Sequence, residues 1–153
     1  MTRSDGKAHN GGRRVLNEPD VLSAIQRVLD TRGRNETLRL FDPDEYTDIS
    51  NLIATFSRDA LAIVGPHGGA MMNHRFAGPG TFVLEFIPTS WFLFENWEEA
   101  SLMDQTYATM VVESEGGEHD MVIDPETVGR LLSEHLGKER EDKLEMTYGW
   151  VKE

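Results

Sequence analysis

The sequence contains no cysteine, which excludes a disulfide framework and a thiolate metal site. Basic residues are also scarce: 15 Lys and Arg against 27 Asp and Glu give a formal net charge of −12. A field of that sign repels phosphate backbones, which argues against nucleic acid as a general partner. Apolar runs such as 60–64 are far too short to cross a bilayer. No hydrophobic segment follows the charges of residues 1–14, so no signal peptide is visible.

Length and charge distribution divide the chain into three parts. Its 153 residues suffice for one domain of ordinary globular composition. Residues 1–14 carry four basic side chains and one acidic one, a net charge of +3, whereas residues 95–153 carry five basic and sixteen acidic ones, a net charge of −11. Acidic runs of this kind are usually solvated faces or tails. We therefore expect a basic entry segment at 1–14, a folded lobe at 15–137 and an acidic C-terminal tail at 138–153.

Helical and strand-like patterns alternate along this lobe. Apolar residues at helical spacing predict helices at 17–33, 46–56, 92–103 and 125–136, and a short helix ending near residue 76. Short apolar stretches predict strands at 37–41, 61–64, 81–87 and 106–112. This alternation predicts an α/β fold: a Rossmann-like parallel sheet with helices on both faces. Because such domains normally begin with a strand and this pattern begins with a helix, we expect the sheet to lack its first strand.

A glycine-rich loop follows the predicted strand 61–64. It reads Gly65-Pro66-His67-Gly68-Gly69-Ala70 and lies where doubly wound sheets bind ligands. Two adjacent glycines let a ligand's oxygen atoms approach the backbone, amides at a helix start favour an anion, and His67 could donate a hydrogen bond to it. The alternative is a tight turn whose histidine is only a polar surface residue. The loop matches neither the dinucleotide fingerprint nor the phosphate loop with its lysine.

Two further features favour a nucleotide or nucleotide-sugar ligand. Glu85 lies among large apolar residues of strand 81–87, where a carboxylate needs a partner. A ribose or sugar diol would serve; the alternatives are an outward-facing side chain, a pair with Arg75, or a backbone donor. Arg13 and Arg14 could bind a diphosphate, or could be solubilising residues near a terminus.

The remaining histidines and aromatic residues give weaker signals. His74 lies near the glycine-rich loop and could simply face solvent. The aromatic residues within 91–97 indicate core and surface packing first, and a stacking platform for a sugar or base second. With no cysteine and no H-E-x-x-H motif, the sequence supports no metal site.

Several segments taken together resemble glycosyltransferase family 61. Arg14-Val15-Leu16-Asn17-Glu18 is similar to the R-x-x-N-E segment of that family. The run 64–73 (VGPHGGAMMN), followed by Phe76 and Pro79-Gly80-Thr81, is similar to the family's next motif. Val83-Leu84-Glu85-Phe86 looks like its V-x-E-hydrophobic segment. Order and intervals agree over about residues 3–137, so the resemblance covers most of the chain.

The resemblance implies the C-terminal, donor-binding lobe of a two-lobed GT-B enzyme. Such enzymes transfer a sugar from a nucleotide diphosphate sugar to a glycan or protein hydroxyl with inversion, and no cofactor beyond that donor is implied. The implied donor-binding residues are Arg14 near the diphosphate, His67 with Gly68, Gly69 and Ala70 near the donor phosphates, Asn73 in the same motif, and Glu85 near the donor nucleoside or sugar. The family run is closer to H-G-A-G-L, so the extra glycine here could alter the choice of donor.

The family pattern is incomplete at the front of the chain. Arg3-Ser4 looks like the step at the end of the lobe's first strand, while that strand and the acceptor lobe are absent. We therefore expect a fragment that transfers nothing alone, and we nominate no residue as the general base that inverting transfer needs. The alternative is a non-catalytic nucleotide-sugar-binding or interaction domain derived from such a lobe. If the chain comes from a eukaryotic member, the resemblance implies the secretory pathway, that is, the Golgi or endoplasmic reticulum.

Overall fold

The computed structural model of the chain describes residues 13–46, 48–115 and 119–138. Most of the predicted entry segment and acidic tail lies outside the described residues. The regular elements are helix α1 (Glu18–Arg32), helix α2 (Ile49–Asp59), strand β1 (Ala62–Pro66), strand β2 (Phe82–Pro88), helix α3 (Glu95–Leu102), strand β3 (Thr106–Val112) and helix α4 (Pro125–His135). Short 3₁₀ helices form at Pro43–Glu45 and Met71–Phe76. No helix among these residues is long and apolar enough to cross a membrane.

The sheet has three parallel strands in the order β1-β2-β3. Every residue of the central strand β2 is buried. The register sets Gly65 of β1 beside Glu85 of β2, and Glu85 beside Thr109 of β3. These neighbours define the part of the sheet from which the candidate site is built.

Helices cover both faces of the sheet, as the sequence predicts. Phe82, Leu84 and Phe86 of β2 pack on one face against a cluster that includes residues of α1 and α4. Val83 and Ile63 pack on the other face against a smaller cluster that includes a residue of α2 and Met71. Because side chains alternate along a strand, a β2 buried on both faces is an almost continuous apolar run. The predicted α/β class is confirmed.

Local signals in the sequence explain where the flanking helices begin and end. A proline lies in the first turn of α1, where its missing N–H leaves no bond unmade. Gly33 ends α1 in the left-handed region, at φ +60°, and its amide donates to the carbonyl of Leu29. Asp124 caps α4 by accepting from the amides of Glu126 and Thr127. The Thr127 hydroxyl and these amides lower the pKa of Asp124.

One predicted strand is wrong. Residues 37–41 run without regular structure, although Leu38 packs against the α1–α4 side and Phe41 against the α2 side. The side chains alternate as in a strand, but a strand also needs a hydrogen-bonded neighbour, and β1 pairs only with β2 among the described residues. Residues 37–41 and β1 instead line a common cavity. The predicted helix 92–103 is real but begins later, at Glu95.

The first and last parts of the described chain are joined directly. Leu16 N donates to Met121 O and Met121 N to Arg14 O, both at 2.8 Å. The side-chain amide of Asn17 adds a reciprocal pair with the backbone of Ile123, at 2.7 and 2.9 Å. Residues that are 106 positions apart therefore hold the two ends of the fold together.

Candidate functional site

The glycine-rich loop leaves the sheet at the carboxyl end of β1. His67 directly follows β1, and its amide still donates to Phe86 O of β2 at 2.8 Å. This bond continues the ladder by one residue and fixes the backbone of His67 against the central strand. The His67 side chain is almost entirely buried. The alternative interpretation from the sequence, that His67 is only a polar surface residue in a tight turn, is therefore wrong.

His67 is bonded to Glu85 inside the sheet. Its Nδ1 lies 2.7 Å from Oε1 of Glu85, whose side chain is 0% exposed. Gly65, opposite Glu85 in the register, has no side chain to occupy the space between them. The His67–Glu85 bond thus joins the residue that directly follows β1 to the β2 residue that lies beside Gly65 in the register.

Glu85 is the centre of a buried polar network. Asn96 Nδ2, from α3, donates to Oε1, and the Tyr107 hydroxyl, from β3, donates to Oε2, each at 2.5 Å. Burial and the bond to Glu85 raise the pKa of Tyr107, so this hydroxyl remains a donor at all ordinary pH values. The Nδ1 atom of His67 is engaged by Glu85, so Nε2 is the ring nitrogen left for another partner.

Of the partners considered for Glu85 from sequence, the structure provides neither an outward orientation nor Arg75. Arg75 instead forms a two-pronged ion pair with Glu99 at 2.8 and 3.0 Å. Both carboxylate oxygens of Glu85 bond to side chains of the chain itself. Direct contact between Glu85 and a donor nucleoside or sugar stays a prediction from the resemblance.

The two adjacent glycines of the loop differ: Gly68 has a backbone conformation that favours glycine, and Gly69 is exposed to solvent. Gly68 has φ +145°, a conformation that side-chain-bearing residues rarely adopt. Its carbonyl accepts from Met71 N at 2.8 Å, and the carbonyl of Ala70 accepts from Asn73 Nδ2 at 3.0 Å. Gly69 is exposed, and a Cβ added there would meet nothing within 4 Å. The loop is thus held at both sides of Gly69, whose backbone is accessible.

Both predicted cations already have partners within the chain. Arg14 binds Asp120 through Nε at 3.0 Å and Nη2 at 2.6 Å, and the Arg14 amide also donates to Asp120. These bonds lower the pKa of Asp120. The Arg14 side chain remains 45% exposed. Arg13 is buried, with its guanidinium 5.5 Å from the centre of the Trp91 ring, and burial lowers its pKa.

An exposed aromatic patch lies beside this network. It comprises Trp91, Phe92, Phe94 and Trp97, which are 42–55% exposed. Phe94 precedes α3, the helix that carries Asn96, and Trp91 follows β2 by three residues. Of the packing expected from the sequence, the core part is therefore wrong, whereas surface packing is present: the rings of Phe92 and Phe94 lie 4.5 Å apart. Exposed apolar patches of this kind mark surfaces that contact a ligand or a partner.

Sequence reasoning missed Asn96 and Tyr107 as partners of Glu85. Tyr107 faces the same side of the sheet as Thr109, which neighbours Glu85, so the signal exists once the β2–β3 register is known. Asn96 is a polar residue in the first turn of an exposed helix and gave no usable signal. The solvent-facing interpretation of His74 is wrong: it is 0% exposed, and its Nδ1 lies 2.9 Å from Gln105 Oε1, next to the amino end of β3.

These features define an α/β protein with a preorganised histidine loop at the carboxyl edge of a parallel sheet. The sequence profile of the family Glycosyltransferase 61 matches residues 1–84, more than half of the chain. The chain therefore belongs to glycosyltransferase family 61. The matched range contains Arg14 and the whole loop 65–70, and ends one residue before Glu85. No curated protein matches the chain.

The described residues offer hydrogen-bonding groups for a ligand rather than a metal cage. Among residues 13–46, 48–115 and 119–138, no group of three or more His, Asp or Glu side chains is arranged to hold a metal ion. At the carboxyl edge of β1 these groups are the His67 ring and the backbone around Gly69. Each is suited to an anionic or hydroxyl-rich ligand.

Proposed function

We propose that this chain is the donor-binding lobe of a family 61 glycosyltransferase of GT-B architecture, and that it binds a nucleotide diphosphate sugar at the carboxyl edge of its sheet. The observation that carries the proposal is the bond from His67 to Glu85. It fixes a histidine in one orientation in the loop where parallel sheets bind ligands. Membership of the family supplies the class of substrate.

In this proposal the loop binds the donor phosphates. Nε2 of His67 donates to a phosphate oxygen when the ring carries both protons, and the Glu85 carboxylate offsets the resulting charge. The open backbone at Gly69 lets a phosphate oxygen approach without meeting a side chain. The Arg14 side chain, which is 45% exposed, adds a charge-assisted bond to the diphosphate.

Glu85 acts in this proposal as a positioning residue. Its oxygens hold His67, Asn96 and Tyr107, which belong to the loop, to α3 and to β3. One buried carboxylate thus ties three elements to β2 and fixes the direction of the His67 ring. A ring held by packing and a hydrogen bond loses little entropy when it binds a ligand.

The chemical step needs a second lobe. In inverting transfer an acceptor hydroxyl attacks the anomeric carbon, the bond to the phosphate oxygen breaks, and a general base takes the hydroxyl proton. The groups at this site suit the leaving diphosphate, whose growing negative charge His67 and Arg14 stabilise. We propose that the acceptor lobe supplies the base, and that this chain alone binds donor without turnover.

Titration of the folded chain with a panel of nucleotide diphosphate sugars, followed by calorimetry, tests the donor site. We expect saturable binding of at least one nucleotide sugar, and weaker binding of the matching nucleoside that lacks phosphates. No saturable binding of any donor would remove the proposal.

A second candidate is a non-catalytic interaction domain derived from such a lobe, favoured by the exposed aromatic patch 91–97. An assay of a two-lobed protein containing this lobe separates the candidates. Donor-dependent transfer supports the enzyme, whereas donor binding without turnover in the two-lobed protein supports the interaction domain.

A further inference from the structure

Three polar side chains meet beyond the carboxyl ends of β2 and β3. Ser90 Oγ lies 2.6 Å from Nδ1 of His119 and also contacts Oγ of Ser114. The contacts form a chain in the order His119, Ser90, Ser114, which we call the serine–histidine cluster. Ser114 and His119 are 24 and 29 positions from Ser90, and none of the three residues is buried. The cluster is therefore open to solvent, and it has no part in the donor contacts proposed above.

The sheet holds the two serines of the cluster side by side. The register pairs Pro88, the last residue of β2, with Val112, the last residue of β3. Ser90 and Ser114 each lie two residues beyond this pair. Thr89 N donates to Val112 O at 2.8 Å, so the pairing of the two segments continues past the end of β2. The contact between the serines therefore follows from the register of the parallel sheet.

The cluster retains hydrogen-bonding groups for a ligand. A serine hydroxyl donates one hydrogen bond and accepts two, and a neutral imidazole has one donor and one acceptor. Within the part of the chain that the structure describes, Ser114 Oγ bonds only to Ser90, and the His119 ring has no hydrogen bond other than that with Ser90. Ser114 Oγ and Nε2 of His119 are therefore available. A ligand that matches them carries neighbouring groups that both donate and accept, as the two hydroxyls of a diol do.

The charge beside the cluster disfavours an anionic ligand. Ser114 lies between Glu113 and Glu115, and both glutamates are exposed. Their charges repel a phosphate, whereas an uncharged hydroxyl meets no such repulsion. Of the parts of a nucleotide diphosphate sugar, the uncharged diols therefore suit this place better than the phosphates do.

The cluster lies at the same edge of the sheet as the His67 loop. His67 follows β1, Ser90 follows β2 and Ser114 follows β3, and neighbouring strands are about 4.8 Å apart. Because the ribose of a nucleotide is joined directly to its phosphates, a ligand with its phosphates at His67 can place the ribose beside the next strands. The ring of Trp91, which is 47% exposed, lies 5.6 Å from the ring of His119. It offers an aromatic surface to the base that the ribose carries.

We propose that the serine–histidine cluster binds the ribose diol of the nucleotide diphosphate sugar. Ser114 Oγ bonds to one ribose hydroxyl and Nε2 of His119 to the other. Glu85, which the sequence suggests for a diol, instead has both carboxylate oxygens bonded to side chains of the chain itself. This inference rests on the donor-binding proposal and adds to it the recognition of the nucleoside.

Calorimetry of the full chain with nucleoside diphosphates tests the diol contact. The probes are the diphosphates of uridine, cytidine, guanosine and adenosine and the 2′-deoxy form of each, which carry phosphates and a pentose but no transferred sugar. We expect at least one ribonucleotide to bind about five- to tenfold more tightly than its 2′-deoxy form, the range for one neutral hydrogen bond.

Alanine variants of the two serines locate the contact. Neither serine is buried, so both variants should fold. Ser114→Ala removes a hydroxyl that bonds to the ribose, and Ser90→Ala removes the group that holds Ser114 and His119 together. In both variants the preference for the ribonucleotide should fall below about twofold, while the 2′-deoxy form binds as it does to the unaltered chain.

Two further variants are controls. Ser133 is an exposed serine of α4 whose hydroxyl donates to Gly129 O of the same helix at 2.8 Å. Ser133→Ala should keep the full preference for the ribonucleotide. His67→Ala should weaken the binding of both forms by the same factor, because both carry the same phosphates.

The outcomes separate this inference from the donor-binding proposal. Loss of the ribose preference in both serine variants supports the diol site. Equal binding of the two forms by the unaltered chain, or an unchanged preference in Ser114→Ala, overturns the diol site and leaves the phosphate contacts standing. If no diphosphate binds, the donor site is wrong and the diol site falls with it. If Ser114→Ala changes only the extra affinity of a nucleotide sugar over its diphosphate, the cluster contacts the transferred sugar and the ribose contact is wrong.

Discussion

Nδ1 of His67 and Oε1 of Glu85 are 2.7 Å apart, although 18 positions separate the two residues along the chain. The bond links the loop after β1 to the middle of β2, and neither side chain is more than 7% exposed. Because both groups have left water, the Nδ1 atom of His67 depends on Glu85 for its hydrogen bond, while Glu85 also accepts from Asn96 and Tyr107. The pair therefore couples the stability of the sheet to the orientation of the loop.

Replacing Glu85 by glutamine should disturb this pair without changing its shape. In Glu85→Gln the negative charge is lost, and the amide NH₂ faces either His67 and Asn96 or the Tyr107 hydroxyl, so at least one of these groups loses the acceptor that it has in the unaltered chain. We expect the free energy of unfolding to fall by about 1–3 kcal/mol in urea titrations. Long-range ¹H–¹⁵N spectra should show a changed protonation pattern of the His67 ring. Glu99→Gln, which affects a more exposed ion pair, is the control and should lose less than about 1 kcal/mol. An unchanged His67 spectrum in a stable Glu85→Gln protein would contradict the assignment.

Removing the His67 ring should weaken donor binding. We expect His67→Ala to lose about 1–3 kcal/mol of binding free energy, the range for a hydrogen bond to a charged group, measured by calorimetry with the nucleotide sugar that binds the unaltered chain. Gln105→Ala is the control, because it breaks another buried histidine contact, beside the amino end of β3. That variant should lose stability yet bind donor normally. Equal donor affinity of His67→Ala and the unaltered chain would remove His67 from the site.

Because Arg14 is paired with Asp120, variants of the two residues can separate a role of Arg14 in donor binding from its contribution to the fold. Arg14→Ala should weaken donor binding by about 1–3 kcal/mol if the guanidinium contacts the diphosphate. Asp120→Asn retains the guanidinium and removes the charge that competes for it, so donor binding should be equal or stronger. Calorimetry of both variants checks this. Parallel losses of affinity in the two would show that the ion pair acts only through the fold.

The two adjacent glycines of the loop should respond differently to alanine. Gly68→Ala places a side chain at φ +145°, and we expect it to reduce the free energy of unfolding by about 1–3 kcal/mol. Gly69→Ala meets no atom within 4 Å and should leave stability within about 0.5 kcal/mol. Donor binding should nevertheless fall in Gly69→Ala, because the added methyl occupies the space of the phosphate. Thermal melts and donor titrations of both variants test this, and unchanged donor affinity in Gly69→Ala would move the phosphates elsewhere.

The Arg14–Asp120 pair should make the free energy of unfolding depend on pH in the acidic range. Arg14 lowers the pKa of Asp120 in the folded state. The unfolded state then binds more protons over that range, and stability falls as pH decreases. The contribution of Asp120 is fully present above the unfolded pKa of about 3.9 and is lost as pH falls through the lower, folded value. Urea midpoints measured between about pH 6 and pH 2 should fall less steeply in Asp120→Asn. The same slope in both proteins would contradict the pairing.

The fold class could be predicted from the sequence because the buried strands appear in it as short apolar runs between helical patterns. The runs around β1, β2 and β3 are short and largely apolar, and the predicted ranges differ from the observed ones by at most two residues. The error at 37–41 has a physical cause: alternation records which side chains are buried, but it does not record whether a neighbouring strand is there to pair. That information lies in tertiary structure alone.

The glycine-rich loop of the candidate site could be predicted from the sequence, but the partners of Glu85 and Arg14 could not. A histidine between glycines after a strand locates the loop, and a glutamate in an apolar strand demands a partner. Which partner it has depends on register, which places Tyr107 and Gly65 near Glu85. The pairing of Arg14 with Asp120 spans 106 positions and follows from the closure of the whole fold. Local sequence patterns do not contain such distances.

The hydrogen bonds that join residues 14–17 to residues 121–123 also determine when this domain can fold during its synthesis. A contact between such distant positions forms only after the later residues have left the ribosome. Until Ile123 has emerged, the amino end of α1 lacks its backbone partner, and the side-chain amide of Asn17 remains hydrated. The domain should therefore acquire its native structure in one step after residues 121–123 have left the ribosome, rather than element by element as the helices and strands appear.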